Sequence, residues 1–83
     1  MNPYRQLRLE RGLRVREMAY ALRVNASSIQ ALETGAPPVP YSTVEHALAE
    51  LLGVDRVKAL RIDYIQWREN QGEATRKKLL SSN

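Results

Sequence analysis

Residues 15–34, VREMAYALRVNASSIQALET, decide the fold of this chain. The small residue Ala19 lies where two short helices would have to approach each other closely. The larger apolar residues that follow have the spacing of side chains that point into the angle between two such helices: Leu22, Val24, Ile29 and Leu32. The stretch therefore predicts a helix-turn-helix.

The outward positions of the second helix in this motif are small or polar: Asn25, Ala26, Ser27, Gln30 and Ala31. A helix with such a face can lie in the major groove of DNA, where these five residues are our candidates for base contacts. Gln30 can pair with adenine and Ser27 can bond a base edge, although both could be ordinary solvated surface. Asn25 is better placed to cap the helix than to read a base.

The net charge of +4 is unevenly distributed. Residues 1–35 hold six arginines against three acidic residues, a balance of +3, whereas residues 36–71 sum to −1. The positive charge therefore accompanies the predicted motif, as attraction to a phosphate backbone would require. Arginine-rich surfaces also occur in small helical proteins of other functions.

Composition excludes several classes of function. Eighty-three residues make one domain with a core too small for an enclosed active site, and leave no room for a ligand-sensing module. The chain has no Cys and one His, His46, and the pair Ser27 and Ser28 has no general base beside it. No apolar run suits a signal peptide or a membrane span. We expect a cytoplasmic protein that is not an enzyme, with no metal, cofactor, small-molecule ligand or membrane partner.

Helix start and stop signals divide the chain into five predicted helices, at about 3–11, 15–22, 26–34, 43–52 and 56–71. Asn2 and Asp55 are predicted caps, and Ser42 with Glu45 has the spacing of a capping box. The proline-rich residues 36–40 predict a stiff surface loop. The buried stripe predicted for the fourth helix is Val44, Ala47, Leu48, Leu51 and Leu52.

The fifth helix is predicted to be apolar on more than one side. Val57, Leu60, Tyr64 and Trp67 form one stripe, and Ile62 and Ile65 lie off it. The stripe could fold back on its own domain or meet a second copy of the chain. We expect a dimer interface formed by Ile62, Tyr64, Ile65 and Trp67. Residues 1–71 would then be the domain, and 72–83 a polar basic tail that either frays or extends the helix.

Residues 4–55 resemble the lambda repressor-like DNA-binding domains of the Cro and Xre type. The matching features are Leu7-Arg8, Gly12-Leu13, Met18-Ala19, Leu22, Val24, Ser28-Ile29, Leu32-Glu33, Gly35, Ala49 and Leu52-Gly53-Val54. The resemblance implies an all-α domain of five helices, usually dimeric, whose third helix enters the major groove. The resemblance also implies that Glu33 pairs with Arg8.

Three departures from the family pattern change the expected contacts. Arg14 and Val15 replace the usual hydroxyl residue and Gln, Arg23 replaces the Gly of the turn, and residues 36–40 contain no cation. Arg23 is therefore predicted to be left-handed, at a cost of roughly 1 kcal/mol. The expected phosphate contacts are Arg14, Arg16, Ser28, Thr34 and Tyr41.

Together these features predict a homodimeric repressor of phage or mobile-element type that binds a palindromic operator on double-stranded DNA. The alternative is a protein-interaction module, such as an antitoxin or a bridging factor. The neutral loop favours that alternative, and the arginine excess disfavours it.

Overall fold

The computed structural model describes residues 1–81, which form five helices and no strand within that range. Their bounds are α1 Pro3–Glu10, α2 Val15–Leu22, α3 Ala26–Thr34, α4 Ser42–Leu52 and α5 Val54–Ser81. The predicted all-α fold with five helices and an extended C-terminal helix is confirmed. None of the helices in residues 1–81 is both long enough and apolar enough to cross a membrane.

One apolar core holds the helices together, with contributions from all five. Of the nine apolar residues predicted for the stripes of α4 and α5, five are buried in this core, at positions 44, 48, 57, 60 and 64. The full buried set is Tyr4, Leu7, Met18, Ala19, Leu22, Ile29, Leu32, Val44, Leu48, Val57, Leu60 and Tyr64. Helix α1 packs on α3 and helix α4 packs on α2, while α5 packs on both α1 and α4, so these helices fix the orientation of the motif formed by α2 and α3.

The start of α1 is anchored by Asn2, as predicted. Its side-chain oxygen accepts hydrogen bonds from the backbone amides of Tyr4 and Arg5, and Pro3 occupies the first helical position. The Asn2 amide nitrogen also donates to the carbonyl of Leu32, 2.7 Å away. One buried side chain therefore caps α1 and joins it to the end of α3.

The capping box predicted for α4 is wrong. The helix begins at Ser42, so Tyr41 occupies the cap position, and the Glu45 carboxylate instead pairs with Arg61 of α5. That bidentate pair raises the pKa of Arg61. The predicted buried stripe is also wrong at Leu51, which is 65% exposed.

Helix α5 is longer than predicted at both ends. It begins at Val54, so Asp55 lies in its first turn and the predicted cap at Asp55 is wrong. The helix continues through Gly72 to Ser81. Of the two possibilities for the polar segment, helix extension is the one observed up to Ser81; residues 82 and 83 lie outside the described residues. Every residue from 69 to 81 is exposed, so this part of α5 contributes no residue to the core.

The proline-rich segment is only partly a surface loop. Pro37 and Pro40 are buried, and the Tyr64 hydroxyl donates to the Pro37 carbonyl at 2.7 Å. The Tyr64 ring meets Tyr4 edge to face, with ring centres 5.6 Å apart. Burial raises the pKa of both tyrosine hydroxyls.

Candidate DNA-binding surface

The turn between α2 and α3 has the geometry that the sequence predicts. Arg23 is left-handed, with φ 57° and ψ 42°, and is the one residue other than glycine with positive φ in residues 1–81. The Val24 amide donates to the Ala19 carbonyl at 3.0 Å, which closes the end of α2. Since Ala19 is small and buried, α2 and α3 can pack closely across this turn.

The outer side of α3 is open to solvent. Asn25, Ser27 and Gln30 are exposed, whereas Ala26 and Ala31 are half-buried. Asn25 holds the cap position as predicted, but its side chain makes no capping hydrogen bond. The predicted cap bond is therefore wrong, and the side chains of Asn25, Ser27 and Gln30 project from the protein surface.

The start of α2 and the start of α3 enclose a common surface cleft. Its lining residues are Arg14, Val15, Arg16, Glu17, Ala26 and Gln30. The Glu17 carboxylate accepts from the Arg14 backbone amide at 2.8 Å, which satisfies one free donor at the start of α2. The exposed side chains of Arg14 and Arg16 at the start of α2 thus line the same cleft as Gln30 on α3.

The other three candidates for phosphate contacts lie apart from this cleft. Thr34 is exposed at the end of α3, with its hydroxyl donating to the Ala31 carbonyl at 3.0 Å, and Ser28 is half-buried. Tyr41 is 37% exposed at the start of α4. Thr34 lies one helical turn beyond Gln30, so it extends the open side of α3 toward its C-terminal end.

Arg8 and Glu33 form the pair that the family resemblance implies. Two guanidinium nitrogens of Arg8 donate to the two carboxylate oxygens of Glu33 at 2.7 and 2.8 Å. The Arg8 side chain also donates to the Leu13 carbonyl at 2.8 Å. The hydrogen bonds to Glu33 raise the pKa of Arg8. The same hydrogen bonds join α1 to α3.

Two residues of α5 fix the end of α3, and the sequence reasoning missed both roles. The Arg68 Nε donates to the Gly35 carbonyl at 2.7 Å, which places a cation at the negative end of the α3 dipole. The Trp67 ring lies against Gly35, where a Cβ would come within 2.6 Å of the ring. The signals available were Gly35 at the end of a helix and an Arg after an aromatic stripe.

The residues predicted to form a dimer interface differ in exposure. Ile62 is 68% exposed, whereas Ile65 and Trp67 are half-buried against the core of their own domain. Tyr64 is 0% exposed, and its hydroxyl is bonded within the domain. Tyr64 therefore has no surface to offer a second protein, and we remove it from the predicted interface.

Among residues 1–81, no group of three or more His, Asp or Glu side chains is placed to hold a metal ion. His46 is exposed on α4, where it lines a shallow groove with neighbours from α4 and α5.

Comparison with known proteins gives one family. Residues 5–61, more than half of the chain, match the model of a family described as helix-turn-helix domain. The match covers most of α1, all of α2 to α4 and the start of α5. Neither the curated proteins nor the solved structures contain a match to the chain.

Proposed function

The chain belongs to the helix-turn-helix domain family, and we propose that it is a sequence-specific transcriptional regulator. The observation that carries this proposal is the cleft that joins Arg14 and Arg16 of α2 to Gln30 of α3. A helix whose exposed side chains can hydrogen-bond to base edges, flanked by cations that can meet phosphates, has the parts that DNA reading requires.

We assign different roles to the two sides of the cleft. Gln30 and Ser27 would read base edges, with Asn25, Ala26 and Ala31 close to the bases. Arg14 and Arg16 would contact phosphates beside the start of α2, and Ser28, Thr34 and Tyr41 would contact the backbone elsewhere. Phosphate contacts position the protein, whereas base contacts distinguish one sequence from another.

These roles are separable by DNA-binding titrations at several salt concentrations. The operator for this test is a duplex selected from a random-sequence pool by the unmodified chain. Gln30→Ala is expected to weaken binding to this operator by about 1 to 3 kcal/mol and to leave binding to random DNA nearly unchanged. Arg16→Ala is expected to weaken both and to lower the salt slope by about 1 for each phosphate that the variant no longer neutralises.

Arg56→Ala is the matched control for Arg16→Ala. Arg56 is also exposed, but it lines a separate cleft with Pro3 and Gln6. Its removal should change the salt slope less than the removal of Arg16. If Gln30→Ala weakens both DNAs equally, or Arg16→Ala weakens the operator alone, the assignment of roles is wrong.

We further propose that the regulator is a homodimeric repressor of phage or mobile-element type. The exposed Ile62 on α5, with the half-buried Ile65 three positions further along the helix, supports a self-association surface. Trp67 lies on a different side of α5, against Gly35. Two-fold symmetry would place the two copies of α3 about 34 Å apart on a palindromic operator. Binding there would repress transcription by occupying the promoter.

Sedimentation tests the dimer. Ile62→Glu is expected to give a folded monomer with weaker operator binding, whereas Leu51→Glu, at a site of similar exposure on α4, is expected to remain dimeric. An unmodified chain that is monomeric at high micromolar concentration would rule out this part of the proposal.

Helix-turn-helix DNA-binding domains are generally not enzymes, and we propose no catalytic activity or cofactor for this chain. We place its action in the cytoplasm, where it would meet double-stranded DNA. A chain that binds no duplex would instead support the protein-interaction alternative.

A further inference from the structure

The distal part of α5, residues 69–81, continues the helix beyond the core. All of its residues are exposed, and a Cβ on Gly72 would have no neighbour within 4 Å. Burial in the core therefore does not explain why the chain forms a helix here. Nearly half of this 28-residue helix is therefore a solvent-exposed surface that a partner can reach.

The distal part of α5 begins beside the open side of α3. A cleft separates the two helices, and its lining residues are Thr34, Gly35, Trp67, Arg68, Gln71, Gly72 and Thr75. Thr34 follows Gln30 and Ser27 by four and seven positions, so all three lie on one side of α3. The surface assigned to DNA therefore continues across this cleft onto α5.

Charge is sorted around the distal helix. The row that lines the cleft, continued at helical spacing, runs from Gln71 through Thr75 to Lys78 and contains no acidic residue. The two acidic residues of this segment, Glu69 and Glu73, begin a different row that continues to Lys77. The side of distal α5 that adjoins α3 is therefore polar, has no acidic residue and ends in the cation Lys78, which suits a polyanion.

We propose that this row of α5 is a second DNA contact, in which Gln71 and Lys78 bind phosphates that flank the bases read by α3. The inference rests on the proposed function, because it takes the open side of α3 as the DNA side. From Arg68, which is fixed to the end of α3, to Lys78 the helix spans about 15 Å. A rigid helix of that length carries the positive charge well beyond the groove that α3 enters.

Lys77 and Lys78 provide a matched test. They are adjacent lysines at nearly the same distance from the C-terminal end of α5, so each interacts similarly with the helix dipole. They lie, however, on different sides of α5. The experiment measures binding of a pool of random-sequence duplexes over a range of salt concentrations. Lys78→Gln should lower the salt slope by about 0.9 and weaken binding several-fold at low salt. Lys77→Gln should leave the slope nearly unchanged.

The outcomes separate this proposal from the one on which it rests. Equal changes from Lys78→Gln and Lys77→Gln, at equal helix content by circular dichroism, would overturn the α5 contact and leave the reading role of α3 intact. The same holds if neither variant changes the slope. If the unmodified chain binds no duplex in the pool, both proposals fall together.

Discussion

The two ends of α3 are built in opposite ways. At its start, Asn25 makes no capping bond, and Ser27 and Gln30 are exposed. At its other end, the Leu32 carbonyl accepts from Asn2, and the Gly35 carbonyl accepts from a cation of α5. One end of the helix is open and the other is held by α1 and α5.

This difference shows how a small domain can present a rigid helix to a partner. The hydrogen bonds that fix α3 are accepted by carbonyls at its C-terminal end, so they leave the candidate base-reading side chains uncovered. Because those bonds involve α1 and α5, the position of α3 depends on residues far away in the sequence. Substitutions at each end of α3, and at matched sites elsewhere in the domain, test this contrast.

Gly35→Ala should produce the largest effect, because it alters the held end of α3. A Cβ at this position would lie 2.6 Å from the Trp67 ring, and φ is +82°, which side chains rarely adopt. We expect the free energy of unfolding, measured by urea denaturation, to fall by about 2 to 4 kcal/mol. Gly12→Ala is the control, since φ is +65° there but no atom lies within 4 Å. Equal losses in the two variants would show that the contact with Trp67 is unimportant.

Glu33→Gln should have the next largest effect, because it removes the charge that pairs with Arg8. The Arg8 and Glu33 side chains are only 11% and 9% exposed, whereas in the second bidentate pair Arg61 is 48% exposed. We expect Glu33→Gln to lower the free energy of unfolding by about 1 to 3 kcal/mol. Glu45→Gln, in the more exposed pair, should lower it less. The reverse order would contradict the structural role of Arg8.

Tyr64→Phe and Tyr4→Phe compare two buried hydroxyls. The Tyr64 hydroxyl fixes the loop after α3 through Pro37, whereas within residues 1–81 the Tyr4 hydroxyl has no hydrogen-bond partner. Tyr64→Phe should therefore cost about 1 kcal/mol, and Tyr4→Phe should be neutral or stabilising. Thermal unfolding of the two variants provides the measurement. A larger loss for Tyr4→Phe would refute this difference.

Arg23→Gly should have the smallest effect, because it acts in the turn that leads to the open end of α3. Glycine adopts the left-handed conformation without the cost that a Cβ imposes, so stability should stay constant or rise by up to about 1 kcal/mol. Chemical denaturation measures the change. A clear loss would mean that the Arg23 side chain makes a stabilising contact.

The sequence predicts the helix-turn-helix well because its signals are local. The spacing of apolar residues from Ala19 to Leu32 is sufficient to predict both helices, whereas the left-handed turn at Arg23 is predicted from the family resemblance, which has Gly at this position. Asn2 and Gly53 likewise mark helix ends by short-range chemistry. For the same reason, the exposed positions of α3 can be recognised from helical spacing alone.

The predictions fail where long-range contacts decide. Glu45 has the spacing of a capping residue, but its carboxylate instead accepts two hydrogen bonds from Arg61 of α5. Tyr64 has the helical position of an interface residue, but Tyr4 and Pro37 enclose it. Helical spacing cannot distinguish burial within one domain from burial between two copies, since both require the same apolar stripe.

Selection of bound duplexes from a random-sequence pool tests the central claim, that the open side of α3 reads bases, most directly. We predict that the unmodified chain enriches a shared short motif, and that Gln30→Ala loses the preference at a single base-pair position while the rest of the motif persists. An absence of enrichment by the unmodified chain, or an identical motif from Gln30→Ala, would contradict the assignment of Gln30 as a base-reading residue.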